Sequence, residues 1–240
     1  MRVELAGVPF EVRCRFPENE VFLKDYETSK APLFVIAPTD EDLVWTQGEY
    51  DRSARCRREA PRRHDAPYLE NTALMLLAAR ELVDYDVLQI HGSALCMDGE
   101  GYLFMAPSGT GKSTHARLWR ETFGDRVWMV NDDKPLLRIE EDRVLVCGTP
   151  WDGKHHLSRN ASVPLKAMAC LYRNEANCIR AISKVEAFPF ILRQAIGSND
   201  PTIQDRFMAL EARLVSAVPC YALGCTVDAV AAKMAWEGMN

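Results

Sequence analysis

Ala106-Pro107-Ser108-Gly109-Thr110-Gly111-Lys112-Ser113-Thr114 is the stretch on which the reading of the fold turns. Glycines at 109 and 111 allow backbone dihedrals closed to other residues and let the chain come close to a ligand. A lysine and two hydroxyl side chains follow at once. The residues before the stretch, 102–105, read as a short apolar strand, and those from 112 to about 123 read as a helix. Strand, glycine-rich turn and helix in that order can hold several negative charges, through backbone N–H groups, the positive end of the helix and one lysine. The stretch predicts a site for a nucleoside triphosphate with magnesium. Ser108, Gly109, Thr110, Gly111, Lys112, Ser113 and Thr114 would surround the phosphates, with Lys112 reaching the outer ones and the Ser113 hydroxyl binding the metal. The usual form of this motif opens on glycine, and Ala106 stands there instead.

Two segments on either side point to the same place. His91-Gly92-Ser93-Ala94 lies within an apolar run over 87–97, and Asn131-Asp132-Asp133 ends an apolar strand over 126–130. In open α/β sheets the C-terminal ends of strands carry the site. A carboxylate pair beside a triphosphate can serve as metal ligand and general base. The expected catalytic set is therefore Asp132, Asp133, His91 and Lys112. A further Gly/Pro-bounded stretch, Gly148-Thr149-Pro150-Trp151-Asp152-Gly153-Lys154-His155-His156, brings basic groups that could close on a transferred phosphate, with Lys154 and Arg159 as substrate-binding candidates. Two adjacent histidines do not have the spacing of a zinc helix. Trp119 and Trp128 read as core residues rather than nucleobase platforms.

The rest of the chain sets the frame. The first 50 residues read as short strands over 8–14, 33–37 and 43–46. Arg52, Arg55, Arg57, Arg58, Arg62, Arg63 and His64 then crowd into what reads as a solvated loop. A helical pattern begins near Pro67 and runs to 83, with Leu74, Leu77, Ala78 and Leu82 on one face. The domains expected are a small β-rich N-terminal region, 1–66, and a nucleotide-binding core, 67–240. Within the core, strands are predicted over 136–139, 144–147 and 165–172. Helix starts are predicted at Ser183, which has capping-box spacing to Glu186, and at Asp200-Pro201, with a last helix over 227–236. Strands alternating with helices give an α/β class.

Composition narrows the function. The chain has 240 residues, a net charge of -5 and a pI near 5.6, a balance that does not suggest a nucleic-acid partner. No apolar run is long enough to span a bilayer, and residues 1–7 carry no signal-peptide pattern, so a cytoplasmic location without membrane partners is expected. Eight scattered cysteines contain no C-x-x-C pair and read as reduced thiols.

Taken together, H-x-S-A, S-G-T-G-K-[ST]-T and D-D resemble the pattern of ATP-dependent phosphoenolpyruvate carboxykinases. HPr kinase/phosphorylase shares that fold and has a similar run: His-Gly on a strand, G-x-S-G-x-G-K-S, and a strand ending in Asp-Asp. The resemblance covers about 67–150, and it extends to short bacterial HPr-kinase-like proteins, some of which act beside ribosomally made peptides. It implies a carboxykinase-like core with a mixed sheet. It also implies that Lys112 binds phosphate, that Ser113 is a magnesium ligand, that His91 is the active-site histidine, and that Asp132 and Asp133 divide the roles of general base and metal-side carboxylate. Base is assigned to Asp132 and metal to Asp133, and the two could be exchanged. The chain departs from both relatives. It lacks the length of a carboxykinase, and residues 148–156 replace the glycine-rich signature that follows the Asp pair in HPr kinase. The function expected is an ATP-dependent kinase acting on a hydroxyl, foremost a serine in a peptide or protein. A small-molecule kinase, a nucleotide-sensing module without transfer and a P-loop hydrolase are the rivals. Homo-oligomerisation stays open.

Overall fold

The computed structural model describes residues 1–197 and 200–240. The chain divides into two compact units, Met1–Glu81 and Leu82–Asn240. The boundary thus falls at the end of the helix that begins near Pro67, not at its start.

The N-terminal unit contains β1 (Arg2–Leu5), β2 (Val8–Val12), α1 (Pro17–Leu23), β3 (Val35–Ile36), α2 (Asp40–Cys56) and α3 (Ala66–Leu82). β1 and β2 pair antiparallel, and β3 joins β2 in parallel. The buried carboxylate of Glu70 on α3 accepts from the backbone N–H groups of Arg15 and Phe16 and from Asn19 Nδ2, which ties α1 to α3. Residues 43–46, expected as a strand, lie inside α2. Thr39 and Asp42 form a reciprocal capping box that starts the helix, and the apolar Val44 and Trp45 stay exposed. Arg52 and Arg55 are likewise helical, so only the later part of the arginine-rich run is irregular. There the His64 ring packs between Tyr50 and Tyr68, at 4.4 and 4.7 Å. With three helices and three short strands, this unit is mixed rather than β-rich.

The C-terminal unit contains β4 (Val87–Gln89), β5 (Ser93–Met97), β6 (Glu100–Met105), α4 (Lys112–Phe123), β7 (Val127–Asn131), β8 (Leu136–Ile139), β9 (Val144–Cys147), β10 (Ser162–Arg173), β11 (Cys178–Ile182), α5 (Lys184–Leu192), α6 (Gln204–Ala217), β12 (Cys220–Cys225) and α7 (Ala229–Met239). Among the described residues its sheet is mixed and has nine strands, in the order β4-β8-β9-β10-β6-β5-β7, with β12 beside β10 and β11 beside β12. The twelve-residue β10 turns the corner. Its first residues pair antiparallel with β9. From Leu165 it runs parallel to β6, with an irregularity between Leu165 and Ala167, and from Met168 it is also parallel to β12.

Strand periodicity builds a core on each face. Ala94 and Cys96, Leu103 and Met105, and Met168 and Cys170 fall in one apolar cluster with residues of α5 and α6. Their neighbours Leu95 and Met97, Tyr102 and Phe104, and Ala167, Ala169 and Leu171 fall in the other, with residues of α4 and α7. A sheet covered on both faces needs apolar residues at both parities, which is why these strands read as continuous apolar runs. The expected run over 87–97 is in fact two strands, β4 and β5, separated by His91-Gly92 and placed far apart in the sheet. The helix expected from Asp200 begins at Gln204. Asp200 instead folds its carboxylate onto the N–H and hydroxyl of Thr202, a local turn that competes with a cap. Among the described residues no helix is long and apolar enough to cross a membrane.

Candidate functional site

β6 runs directly into the glycine-rich turn, and α4 leaves it. Gly109 and Gly111 have φ of 78° and 122°, values that side chains rarely allow, so the turn requires glycine there. Gly111 stands at the N-cap of α4, and its carbonyl accepts from His115 N. Lys112 is 8% exposed, and its Nζ donates to the Ala106 carbonyl at 2.9 Å, across the turn. Burial lowers its ammonium from the ordinary lysine value, against the opposing charge of Asp133. A cation held out of water in this way gains from any anion that reaches it.

β7 is parallel to β6 through the intervening antiparallel β5, so Asn131 emerges at the same edge of the sheet as the turn. Asn131 is fully buried and organises the residues after it. Its Oδ1 accepts from the N–H groups of Asp133 and Lys134, and its Nδ2 donates to Thr149 at both the carbonyl and Oγ1. Thr149 Oγ1 in turn donates to the Lys134 carbonyl at 2.9 Å. The segment after β9 is thereby fastened onto Asn131 and Lys134, on either side of the acidic pair.

The two carboxylates have different surroundings. Asp132 is 8% exposed and accepts from Ser93 Oγ at 2.6 Å. Gly153 lies against it, where an added Cβ would stand 2.9 Å from Asp132 Oδ2. Asp133 turns the other way, with Oδ1 at 3.3 Å from His91 Nε2 and 3.0 Å from Lys134 Nζ. Burial pushes the Asp133 carboxyl up, but the hydrogen bond from His91 and the charge of Lys134 outweigh it and leave the group below the ordinary aspartate value. Asp133 is therefore held ionised between two possible cations.

Two clefts flank the turn. The first, of about 610 Å³, is lined by Ser113 and Thr114, by Arg117 and Arg120 further along α4, by Asp132 and by His155. The second, of about 510 Å³, is lined by Ser108, Gly109 and Thr110 together with Tyr172, Arg173 and Phe190. The sheet order puts β5 and β7 on one side of β6 and β10 on the other, so the clefts lie on opposite flanks of the turn. Arg173, at the end of β10, donates to the Gly109 carbonyl at 2.7 Å.

The predicted residues thus divide into groups. Ser113, Thr114 and Asp132 share one cleft; Ser108, Gly109 and Thr110 line the other; Lys112 lies under the turn; His91 and Asp133 pair beside it. Lys154 is exposed on its loop and lines neither cleft, and the Arg159 guanidinium lies over the Trp128 ring at 4.9 Å. From that loop it is His155 that reaches the first cleft. Its neighbour His156 sits within 3.0 Å of Asp152, a carboxylate that also accepts from Ser158 N. Trp119 is fully buried and Trp128 lies under Arg159, so neither offers a free face. Sequence reading does not single out Arg117, Arg120 or Arg173. The first two sit at i+4 and i+7 from Ser113, a spacing that shares a helix face; Arg173 reaches the turn through strand pairing, which leaves no local signal.

Among the described residues there is no cluster of three or more His, Cys, Asp or Glu side chains placed to hold a metal. The donors that share the first cleft, the Ser113 hydroxyl and the Asp132 carboxylate, suit Mg²⁺, which is commonly held by one or two protein oxygens together with substrate phosphates and water.

No protein-family model and no curated protein matches the chain. Among solved structures, the chain is similar to the Hpr(Ser) kinase/phosphatase from Coxiella burnetii at 13% sequence identity and a TM-score of 0.38, over 62% of this chain and 94% of that one.

Proposed function

We propose that this chain is an ATP-dependent kinase that transfers the γ-phosphoryl group to a hydroxyl, foremost the serine hydroxyl of a peptide or protein. The observation that carries the reading is the first cleft: the hydroxyls of Ser113 and Thr114 at the start of α4 and the buried carboxylate of Asp132 line one space of about 610 Å³. A helix start suits the phosphates and a carboxylate suits an acceptor proton, which supports the reading of this cleft as a site for phosphoryl transfer. The sequence resemblance to the HPr-kinase pattern supports the same assignment.

In this reading the backbone of residues 108–114 cradles the phosphates, and Lys112 exchanges the Ala106 carbonyl for a phosphate oxygen. Ser113 and Asp133 would hold Mg²⁺, with Asp133 kept ionised by His91 and Lys134. Bound there, the ion would neutralise charge on the outer phosphates. Asp132, oriented by Ser93, takes the proton of the acceptor hydroxyl as its oxygen bonds to the γ-phosphorus. The bond from that phosphorus to the bridging oxygen breaks, and ADP leaves with the electron pair. His155, Arg117 and Arg120 line the side from which an acceptor enters. A pure nucleotide sensor would have no use for a fixed base.

The test is calorimetric titration with Mg·ATP. Lys112→Ala is expected to weaken ATP by about ten-fold or more, the scale of one charge-assisted contact. Equal affinity in the folded variant and the wild type would remove Lys112 from the site, and no ATP binding by the wild type would overturn the reading.

A further inference from the structure

The second cleft has no part in the transfer chemistry above, yet it is built from the same turn. Its near wall is Ser108, Gly109 and Thr110, and its far wall comes from Tyr172, Arg173 and Phe190. Tyr172 is an aromatic side chain left 43% exposed. It is also fixed in place. Its hydroxyl sits 3.2 Å from Cys178 Sγ, and its ring lies over Gly224, where an added Cβ would stand 2.9 Å from it. Phe190 is partly buried, packed against the core on the sheet face that carries α5 and α6. Arg173 brings a guanidinium to the middle of the turn through Gly109.

Geometry decides what this cleft can receive. The phosphoryl group that is transferred must lie beside Ser113 and Asp132, in the first cleft. A nucleotide that reaches from there across the turn carries its nucleoside to the opposite flank, and that flank holds the second cleft, beside β10. We propose that this cleft is the nucleobase site, with the base stacked on Tyr172 and bounded by Phe190, and with Arg173 beside the inner phosphates. The proposal rests on the nucleotide-binding reading above and adds to it where the nucleoside lies. An aromatic face binds any base by stacking, so the cleft selects a nucleoside triphosphate over bare polyphosphate more strongly than one base over another.

The test uses the full chain with magnesium and two probes, ATP and inorganic tripolyphosphate, titrated calorimetrically. Tyr172→Ala is expected to weaken ATP by about ten-fold, the usual scale for loss of one stacked base, while tripolyphosphate affinity stays within about two-fold. Retained tripolyphosphate binding also shows that the turn is intact in the variant. Tyr172→Phe, which keeps the ring and loses the contact to Cys178, is expected to bind ATP within about three-fold of the wild type. Unchanged ATP affinity in Tyr172→Ala, or equal loss of both probes, overturns the proposal. So does a wild type that binds tripolyphosphate as tightly as ATP, an outcome that leaves the phosphate-binding turn standing. A wild type that binds neither probe overturns the nucleotide reading itself, and the base site with it.

Discussion

His115 offers a prediction that needs no knowledge of the acceptor. It lies one turn into α4, is 2% exposed, and accepts from the indole N–H of Trp119 at 3.0 Å through Nε2, while its Nδ1 is buried without a hydrogen-bond partner among the described residues. Burial pushes its imidazole down from about 6.5 to about 4. Protonation would place a charge in the apolar cluster of Phe104 and Trp119 and remove the acceptor of the indole hydrogen bond. Above about pH 6.5 both the folded and the unfolded chain carry neutral imidazole, and this group adds no pH dependence. Between about 6.5 and 4 the unfolded chain is protonated and the folded one is not, so stability falls as the pH falls. The difference in proton affinity amounts to about 3 kcal/mol once pH 4 is reached. Urea denaturation of wild type and His115→Gln from pH 4 to 7.5 measures it. The glutamine can accept from Trp119 but cannot titrate, so the gap between the two proteins should shift by about that amount in favour of the variant as the pH falls. Parallel curves over the whole range would show that His115 is as solvated in the folded chain as in the unfolded one, and would refute the description of this part of α4.

Glu211 pulls the other way. It is fully buried on α6, and burial pushes its carboxyl up to about 7, so folding is penalised as the pH rises from about 4.5 to 7; Glu211→Gln should gain up to about 3 kcal/mol over the wild type at pH 8 and little at pH 4.5, by urea denaturation. Gly153 gives Asp132 its room. Gly153→Ala should therefore displace the carboxylate and cost roughly 10²-fold in phosphoryl transfer while ATP affinity holds, a split read by pairing single-turnover rates with calorimetry.

What the sequence revealed was mostly local. The turn at 106–111, the helix from Lys112 to Phe123, the strands over 136–139 and 144–147, and the capping box of Ser183 with Glu186 depend on neighbours within a few residues, and each was legible. Leu43-Val44-Trp45 misled because three adjacent apolar residues look like a strand, whereas the Thr39–Asp42 cap decides for helix and leaves two of them exposed. β11 gave little apolar signal because it is an edge strand with mostly exposed residues, and β12 is interrupted by Gly224. In the site, the adjacency of His91 to Asp133 could be anticipated from a resemblance, but the fastening of residues 149–153 onto Asn131 and Asp132 could not. Nor could the placing of Tyr172 and Arg173 beside the turn, since it depends on β10 pairing with β6 across a long stretch of chain.

In the proposed kinase Asp132 would do the chemistry and the turn the binding. Asp132→Asn keeps the shape of the side chain and its contact with Ser93 but cannot take a proton, and a positioned carboxylate is worth about 10²–10⁴-fold in rate. The most direct measurement follows radiolabel from γ-labelled ATP into candidate hydroxyl acceptors, or into water where none reacts, and pairs it with nucleotide titration of the same preparation. The expected result is ATP affinity within about three-fold of the wild type and loss of at least about 10² in transfer. Turnover equal to the wild type in Asp132→Asn, with ATP still bound, would contradict it.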